Sequence, residues 1–391
     1  MASWRRTILR GGGLKVTILV NGGRWVFDEV DVRYTLTLAT LSKLSNHEGV
    51  SLDGPYHSAH AYEQGRQRPP ANITTQELLS WDAQAALPAV RDRRDIDIYR
   101  TMLQHPRFGG EQRVDWHFRP LTETHATGDK EMFTFSDEGA KGTWPVYSGS
   151  SFNLWAPETG IVYAWIDGAK AQRYLFAKRQ RQANHSRSAF QDLPKEVVQA
   201  MDTLPCLAPR IAFRDVTKFD NSRSCIVALV PPRVILQHKA PYLLRVRGEE
   251  TDEAFVLGTM SSLVFDWLIR RKVETTMSFG LLNWMPVPNP PLAHPGRQRI
   301  VDLAGRLAAV DDRYCDWADA VGVPVASVNV DERPGYLSEL DACVARLYGL
   351  TGDDLRHLYA TFHHRWDHEP WTTAVLEHYQ RLDWDPIEET T

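Results

Sequence analysis

Residues 210–232 read RIAFRDVTKFDNSRSCIVALVPP, and this stretch decides the architecture to expect. The flanking runs RIAFRDV and SCIVALVPP are rich in β-branched and aromatic residues and read as strands. Between them TKFDNSR has no apolar period, and Asp220 and Asn221 carry side chains suited to turn positions. The middle of the chain therefore reads as sheet.

Working downstream, Thr251 is placed to cap a helix on which Val256, Met260, Leu263, Val264 and Trp267 fall on one face. The segment MPVPNPPLAHP (285–295) then carries five prolines in eleven residues and breaks any regular element. Beyond it, apolar periodicity predicts helices at about 297–319, 337–348, 352–362 and 370–381. Working upstream, residues 111–290 read mostly as strands with two helical inserts. RDRRDIDIYRTMLQH (91–105) predicts a mixed-charge helix stopped by Pro106, Gly109 and Gly110. Thr74 with Glu77 resembles a capping box and opens a helix to about Leu87. Residues 46–73 are rich in Pro, Gly and His without a period and predict a loop. LKVTILVNGGRWVFDEVDVRYTLTLATLS (14–42) predicts a hairpin turning at Gly22 and Gly23, followed by a third strand. The expected fold is α+β, a strand-rich subdomain with a C-terminal helical lobe. Its divisions are residues 1–45, 46–110, 111–290 and 291–391.

The chain has 391 residues, which predicts two or three subdomains. No run of about eighteen apolar residues occurs, so no membrane span is expected. The N-terminal MASWRRTILRGGG lacks the apolar stretch of a signal peptide. Four cysteines (Cys206, Cys225, Cys315, Cys343) are far apart with no CxxC pair. That spacing argues against a structural zinc and against a disulfide framework, and fits a reducing cytoplasm. The 49 acids exceed the 45 bases, giving a net charge of −4. A nucleic-acid partner would therefore need a local basic face.

Such faces occur. KAQRYLFAKRQRQANHSR contains Lys170, Arg173, Lys178, Arg179, Arg181 and Arg187, with no acid between 170 and 190. A second group is Arg210, Arg214, Lys218 and Arg223, on the two strands and their turn. Arg270, Arg271 and Lys272 form a third at the end of the Thr251 helix. Each group reads either as ordinary solvated charge or as a surface tracking phosphates.

Asn289, Pro290, Pro291 and Leu292 spell NPPL, one letter from the NPPY box of DNA adenine methyltransferases. In that box the Asn side chain and a backbone carbonyl accept hydrogen bonds from the adenine amino group, and the aromatic residue stacks on the flipped base. Leu292 cannot stack in this way. No Gly-rich cofactor turn follows a strand upstream, because Gly11, Gly12 and Gly13 precede one. A near-match, DGPY at Asp53–Tyr56, has Gly where the first Pro belongs. His57, His60 and Glu63, and His363, His364 and His368, lack the HExxH arrangement and read as solvated loop residues, so no metal is expected. No catalytic residue is assigned.

The order of several segments resembles the target-recognition region of large adenine-specific DNA methyltransferases, the Type IIG restriction–modification and phage-defence enzymes. The segments are WHFRPLTETHAT, WPVYSGSSFNLW, RIAFRDVTKFDNSRSCIVALVPP, VLGTMSSLVFDWLIRRKVETTMSFGLLNWMPVPNP and ELDACVARLYGLTGDDLRHLYATF. Residues 14–38 resemble more loosely the end of the family's catalytic domain. The resemblance runs from about residue 110 onward and aligns MPVPNP with a linker following the recognition helix, not with the catalytic box. It implies that the methyl-donor turn and the NPPY box lie upstream of these segments, and that this chain begins after them. It further implies a DNA target-recognition module holding double-stranded DNA. S-adenosylmethionine would bind a separate catalytic methyltransferase partner and not this chain. Arg214, Asn221, Arg223 and Arg271 are the candidates to read base edges. Lys170, Arg173, Lys178, Arg179, Arg181, Arg187, Arg210, Lys218, Arg270 and Lys272 are the candidates to hold phosphates. The alternatives are a DNA-binding restriction or defence subunit acting without a methyltransferase, and an enzyme whose site is assembled from dispersed residues.

Overall fold

The computed structural model describes residues 2–32, 34–43, 49–67, 69–82, 86–110, 115–217, 221–362 and 366–386. Helix α1 (Ala2–Gly11) leads into strand β1 (Gly13–Val20), followed by β2 (Thr35–Ser42) and β3 (Gly49–Tyr56). Next come α2 (Ala59–Gly65), β4 (Ala71–Ile73), α3 (Thr75–Trp81) and α4 (Arg93–Leu103). These strands form one sheet in the order β2-β1-β3-β4, with β1 antiparallel to β2 and parallel to β3.

The third strand expected within residues 14–42 does not form. Asn21, fully buried, accepts from the amides of Val26 and Phe27 and donates to the carbonyls of Phe27 and Val30. One side chain thereby satisfies backbone groups that a strand would have paired. Residues 46–73 depart from the expected loop as well. Val50, Leu52, Gly54 and Tyr56 are buried in alternation along β3, a period of two that Gly54 and Pro55 obscure in the sequence. The Thr74 helix does form, with its hydroxyl accepting from the Glu77 amide at 3.1 Å. It stops at Trp81, short of Leu87.

The middle of the chain holds two further sheets. The first comprises β6 (Thr143–Tyr147), β7 (Ala164–Asp167) and β10 (Ile235–Leu236), in the order β10-β6-β7. The second comprises β5 (His117–Leu121), β8 (Arg210–Phe213), β9 (Val227–Val230) and β11 (Tyr242–Arg247), in the order β5-β11-β8-β9. Strands β8 and β9 pair antiparallel from Arg210↔Val230 to Phe213↔Val227, as the opening stretch implies. Helices α5 (Gly168–Gln182) and α6 (Lys195–Gln199) lie between the strands, and further helices follow before residue 290, more than the two inserts expected there.

The helix expected from Thr251 is two helices, α7 (Glu250–Ser261) and α8 (Leu263–Arg270). Glu249 caps α7 through a reciprocal box with Asp252, and Ser262 breaks the run by capping α8 through the Phe265 amide. Both helices are buried nearly all round, so the one-faced pattern understates their burial. After α9 (Phe279–Trp284), the proline-rich segment crosses to α10 (Pro295–Ala308) without regular structure. The remaining helices are α11 (Cys315–Val321), α12 (Arg333–Leu347), α13 (Gly352–Ala360) and α14 (Glu369–Arg381). The result is α+β, with strands and helices mixed before residue 250 and, among the described residues, helices without named strands after it. A single apolar cluster runs from Val16 and Leu52 through Tyr99 and Trp267 to Leu340 and Leu358, so α7 and α8 are packed between both ends of the chain.

Candidate nucleic-acid interface

Helix α5 follows β7 directly, and Asp167 caps it by accepting from the Lys170 amide at 2.7 Å. Ala171 and Leu175 bury against Ile166, Val146 and Phe133. That inner face fixes the outer one. Lys170, Arg173, Ala177 and Arg181 are exposed at spacings of three and four, one stripe along the helix, and Arg187 is exposed just beyond its end. From Lys170 to Arg181 the stripe runs about 16 Å. None of these four cations has an ion pair or side-chain hydrogen bond among the described residues.

The other two cations of this run are structural, which corrects their assignment to phosphates. Lys178 donates through Nζ to the carbonyls of Thr122 and Glu123, at 2.8 and 2.9 Å. Arg179 is only 1% exposed and donates to Thr203 and to the Ala200 carbonyl. Burial lowers the pKa of both side chains. Arg210 is likewise interior. Its Nη2 reaches both carboxylate oxygens of buried Glu123 at 2.8 and 2.9 Å and the Val234 carbonyl at 2.8 Å. Glu123 in turn accepts from the Leu236 amide, so this ion pair ties β8 to β10. Burial pushes the Glu123 carboxyl up, and Arg210 opposes the shift.

The connection between β8 and β9 is held from beneath by α8. Asp266 is fully buried and accepts from the amides of Ser224 and Cys225 at 2.8 and 2.5 Å. Arg270 pairs with it at 2.8 Å and donates to the carbonyls of Asn221 and Ser222. Arg223 donates to the Ser261 carbonyl and lies 3.9 Å from Asp266, with its side chain 18% exposed. Arg214 is half-buried and donates to the Phe152 carbonyl at 2.5 Å, and burial lowers its pKa. Asn221 is exposed. Lys218 lies outside the described residues.

The structure thus gathers Asn221, Arg223 and Arg270 around Asp266 and sends Arg271 and Lys272 elsewhere. Arg271 lies in the core over the Trp267 ring at 4.0 Å, donates to the Ala89 carbonyl, and is pushed down to a pKa of about 10 by burial. Lys272 lies 3.3 Å from the centre of the Trp284 ring and 2.5 Å from Asp82. In this fold, Arg270, Arg271 and Lys272 act as interior ties, not as surface for a duplex. Removing such cations from protein partners would leave buried acceptors unpaired, which is why they stay.

The histidine-rich stretches gather no ligand set among the described residues. His60 and Glu63 are exposed on α2, and His363 and His364 lie outside the described residues. A different group, Asp92, Asp95 and His357, places its ligand atoms within 4.8 Å of one another. His357 Nε2 is 2.9 Å from Asp95. Burial raises the Asp95 pKa, but Arg271, His357 and Arg91 outweigh it and hold the carboxyl well below the usual range. Asp95 is thus engaged by Arg91 and Arg271 from within, and its contact with His357 joins α4 to α13. No described helix is long and apolar enough to cross a membrane.

Sequence reasoning missed Glu123 and Asp266, the acids that consume the cations. For Asp266 a signal existed, because it precedes Arg270 by four on one helix. For Glu123, paired across 87 residues, none did.

No family model matches the chain, and no curated protein does. Among solved structures it is similar to the Type IIL restriction-modification enzyme MmeI in complex with DNA. The TM-score is 0.42 at 12% identity, over 97% of this chain and 47% of that one. The chain spans about half the length of that enzyme, and a likeness so loose assigns neither fold nor function.

Proposed function

We propose that this chain is the DNA target-recognition module of a site-specific adenine methyltransferase in a restriction–modification or phage-defence system. The catalytic domain and its S-adenosylmethionine would belong to a separate partner. The observation carrying this reading is the outer stripe of α5. Lys170, Arg173 and Arg181, with Arg187 beyond, are exposed, free of internal partners among the described residues, and unopposed by any acid between 170 and 190. Cations in this state can exchange counterions for phosphates, whereas Arg179 and Arg210 cannot leave their carbonyl and carboxylate acceptors. The ordered resemblance of the recognition segments supports the adenine-methyltransferase setting. Asn221, presented at the β8–β9 connection, is the described base-reading candidate with the greatest exposure. Its amide matches the N6 and N7 edge of adenine.

The test is single-molecule sequencing of host DNA with and without the gene for this chain. Loss of N6-methyladenine at one sequence motif on deletion is the expected result. An unchanged methylation profile overturns the reading.

A further inference from the structure

A cavity of about 220 Å³ lies where α5, α6, β8, β11 and α7 meet. Cavities of about 150 Å³ accommodate a benzene ring, so this one has room for a ring and a small charged group. Leu193, Val197, Leu207 and Leu244 give the wall an apolar character. The same wall carries the guanidiniums of Arg179, Arg210 and Arg245 and the carboxyls of Asp202 and Glu253. None of the exposed cations Lys170, Arg173, Arg181 and Arg187 lines it.

The charges of that wall do not cancel. Arg210 is neutralised by buried Glu123, and Arg245 pairs with Glu250. Arg179, 1% exposed, has only the Thr203 oxygens and the Ala200 carbonyl as acceptors. Among the described residues it forms no ion pair, and its buried Nε donates to nothing. Asp202 attracts it from beyond pairing distance and is itself exposed. Glu253 balances little of the charge, because burial pushes its carboxyl up to about 7 against the pull of Arg245. A guanidinium stays protonated even in the interior, and a buried cation without a counter-charge is costly. One positive charge is thus left unmatched beside an open, largely apolar space.

We propose that this cavity binds a small organic monoanion, a carboxylate on an apolar or aromatic body. The carboxylate pairs with Arg179, whose planar guanidinium suits it, and the body fills the space between the leucines and Val197. A dianion such as phosphate fits less well. Its second charge would meet no free cation and would face Asp202 and Glu253. The site is separate from the cationic stripe on the outer face of α5 and does not depend on DNA binding there.

Isothermal titration of the full chain with benzoate, with its neutral counterpart benzamide and with inorganic phosphate tests this. Benzoate is expected to bind one to one and tighter than benzamide by on the order of tenfold, the margin of a charge-assisted hydrogen bond. Phosphate should bind more weakly than benzoate. Arg179→Met should erase the margin between benzoate and benzamide. Val197→Phe narrows the cavity but keeps the acceptors of Arg179, so it should lose benzoate binding while melting near the wild-type temperature. That second variant decides the matter if Arg179→Met does not fold. Equal affinity for benzoate and benzamide, tighter binding of phosphate, benzoate binding that survives Val197→Phe, or no binding of benzoate by the wild type overturns the proposal.

Discussion

Asp266 and Arg270, one turn apart on α8 and both buried, hold the β8–β9 connection from below. Arg270 Nε lies 2.8 Å from Asp266 Oδ2. The carboxylate takes the amides of Ser224 and Cys225, and the guanidinium donates to the carbonyls of Asn221 and Ser222. The surface loop is thus fastened by an ion pair that never reaches the surface. Removing either partner leaves an uncompensated buried charge. Asp266→Ala or Arg270→Ala is expected to lower unfolding stability by about 3–5 kcal/mol. Urea denaturation of each variant checks it. A change below about 1 kcal/mol would mean that the pair does not hold the loop in solution.

The same clasp should position a reader. Asn221→Ala is expected to cost about 1–3 kcal/mol at one base pair and to relax preference there only. Site selection from a randomised duplex pool reads this out for the wild type and the variant. A uniform loss across all sequences would place base reading elsewhere.

Much of the fold is legible in the sequence where pattern and burial agree. The pairing of β8 with β9, helix α4, and helices α12, α13 and α14 follow from composition and period. What could not be read depended on side-chain partners that no period announces. Asn21 converts an expected strand into a loop through four backbone contacts, and no local propensity encodes that. The candidate site shows the same limit more sharply. Arg173 and Arg179 look alike in sequence, yet one is solvated and the other is bound to Thr203 and Ala200. Helical phase separates them once Ala171 and Leu175 are known to face inward. Arg210 could not be judged without Glu123.

That distinction is testable by stability. Arg179→Ala removes a buried guanidinium that donates to Thr203 and to the Ala200 carbonyl and is expected to cost about 1–3 kcal/mol. Arg173→Ala should change stability by less than about 0.5 kcal/mol. Thermal or urea unfolding of the two variants decides. Equal small effects would return Arg179 to the surface.

A pH dependence follows from Glu253 on α7. Its carboxylate accepts from Trp317 Nε1 at 2.9 Å, and burial pushes its pKa up to about 7, with Arg245 opposing. The folded state therefore holds a proton that the unfolded chain releases near pH 4.5. Between those values stability falls as pH rises, and above about 7 this contribution is constant. Glu253→Gln removes the titration, so the variant should gain on the wild type across that window, by on the order of 3 kcal/mol at pH 8. Denaturation at pH 5 and pH 8 measures the difference. A gap that does not widen with pH contradicts the assignment.

Fluorescence anisotropy of the isolated chain on a labelled duplex, titrated from low to moderate salt, tests the central claim most directly. Each phosphate neutralised contributes about −0.9 to the slope of log K against log salt. Replacing Lys170, Arg173, Arg181 and Arg187 together by alanine should flatten the slope by roughly 3 to 4 while leaving the melting temperature near the wild-type value. An unchanged slope in the quadruple variant, or no duplex binding by the wild type at low salt, would contradict the account.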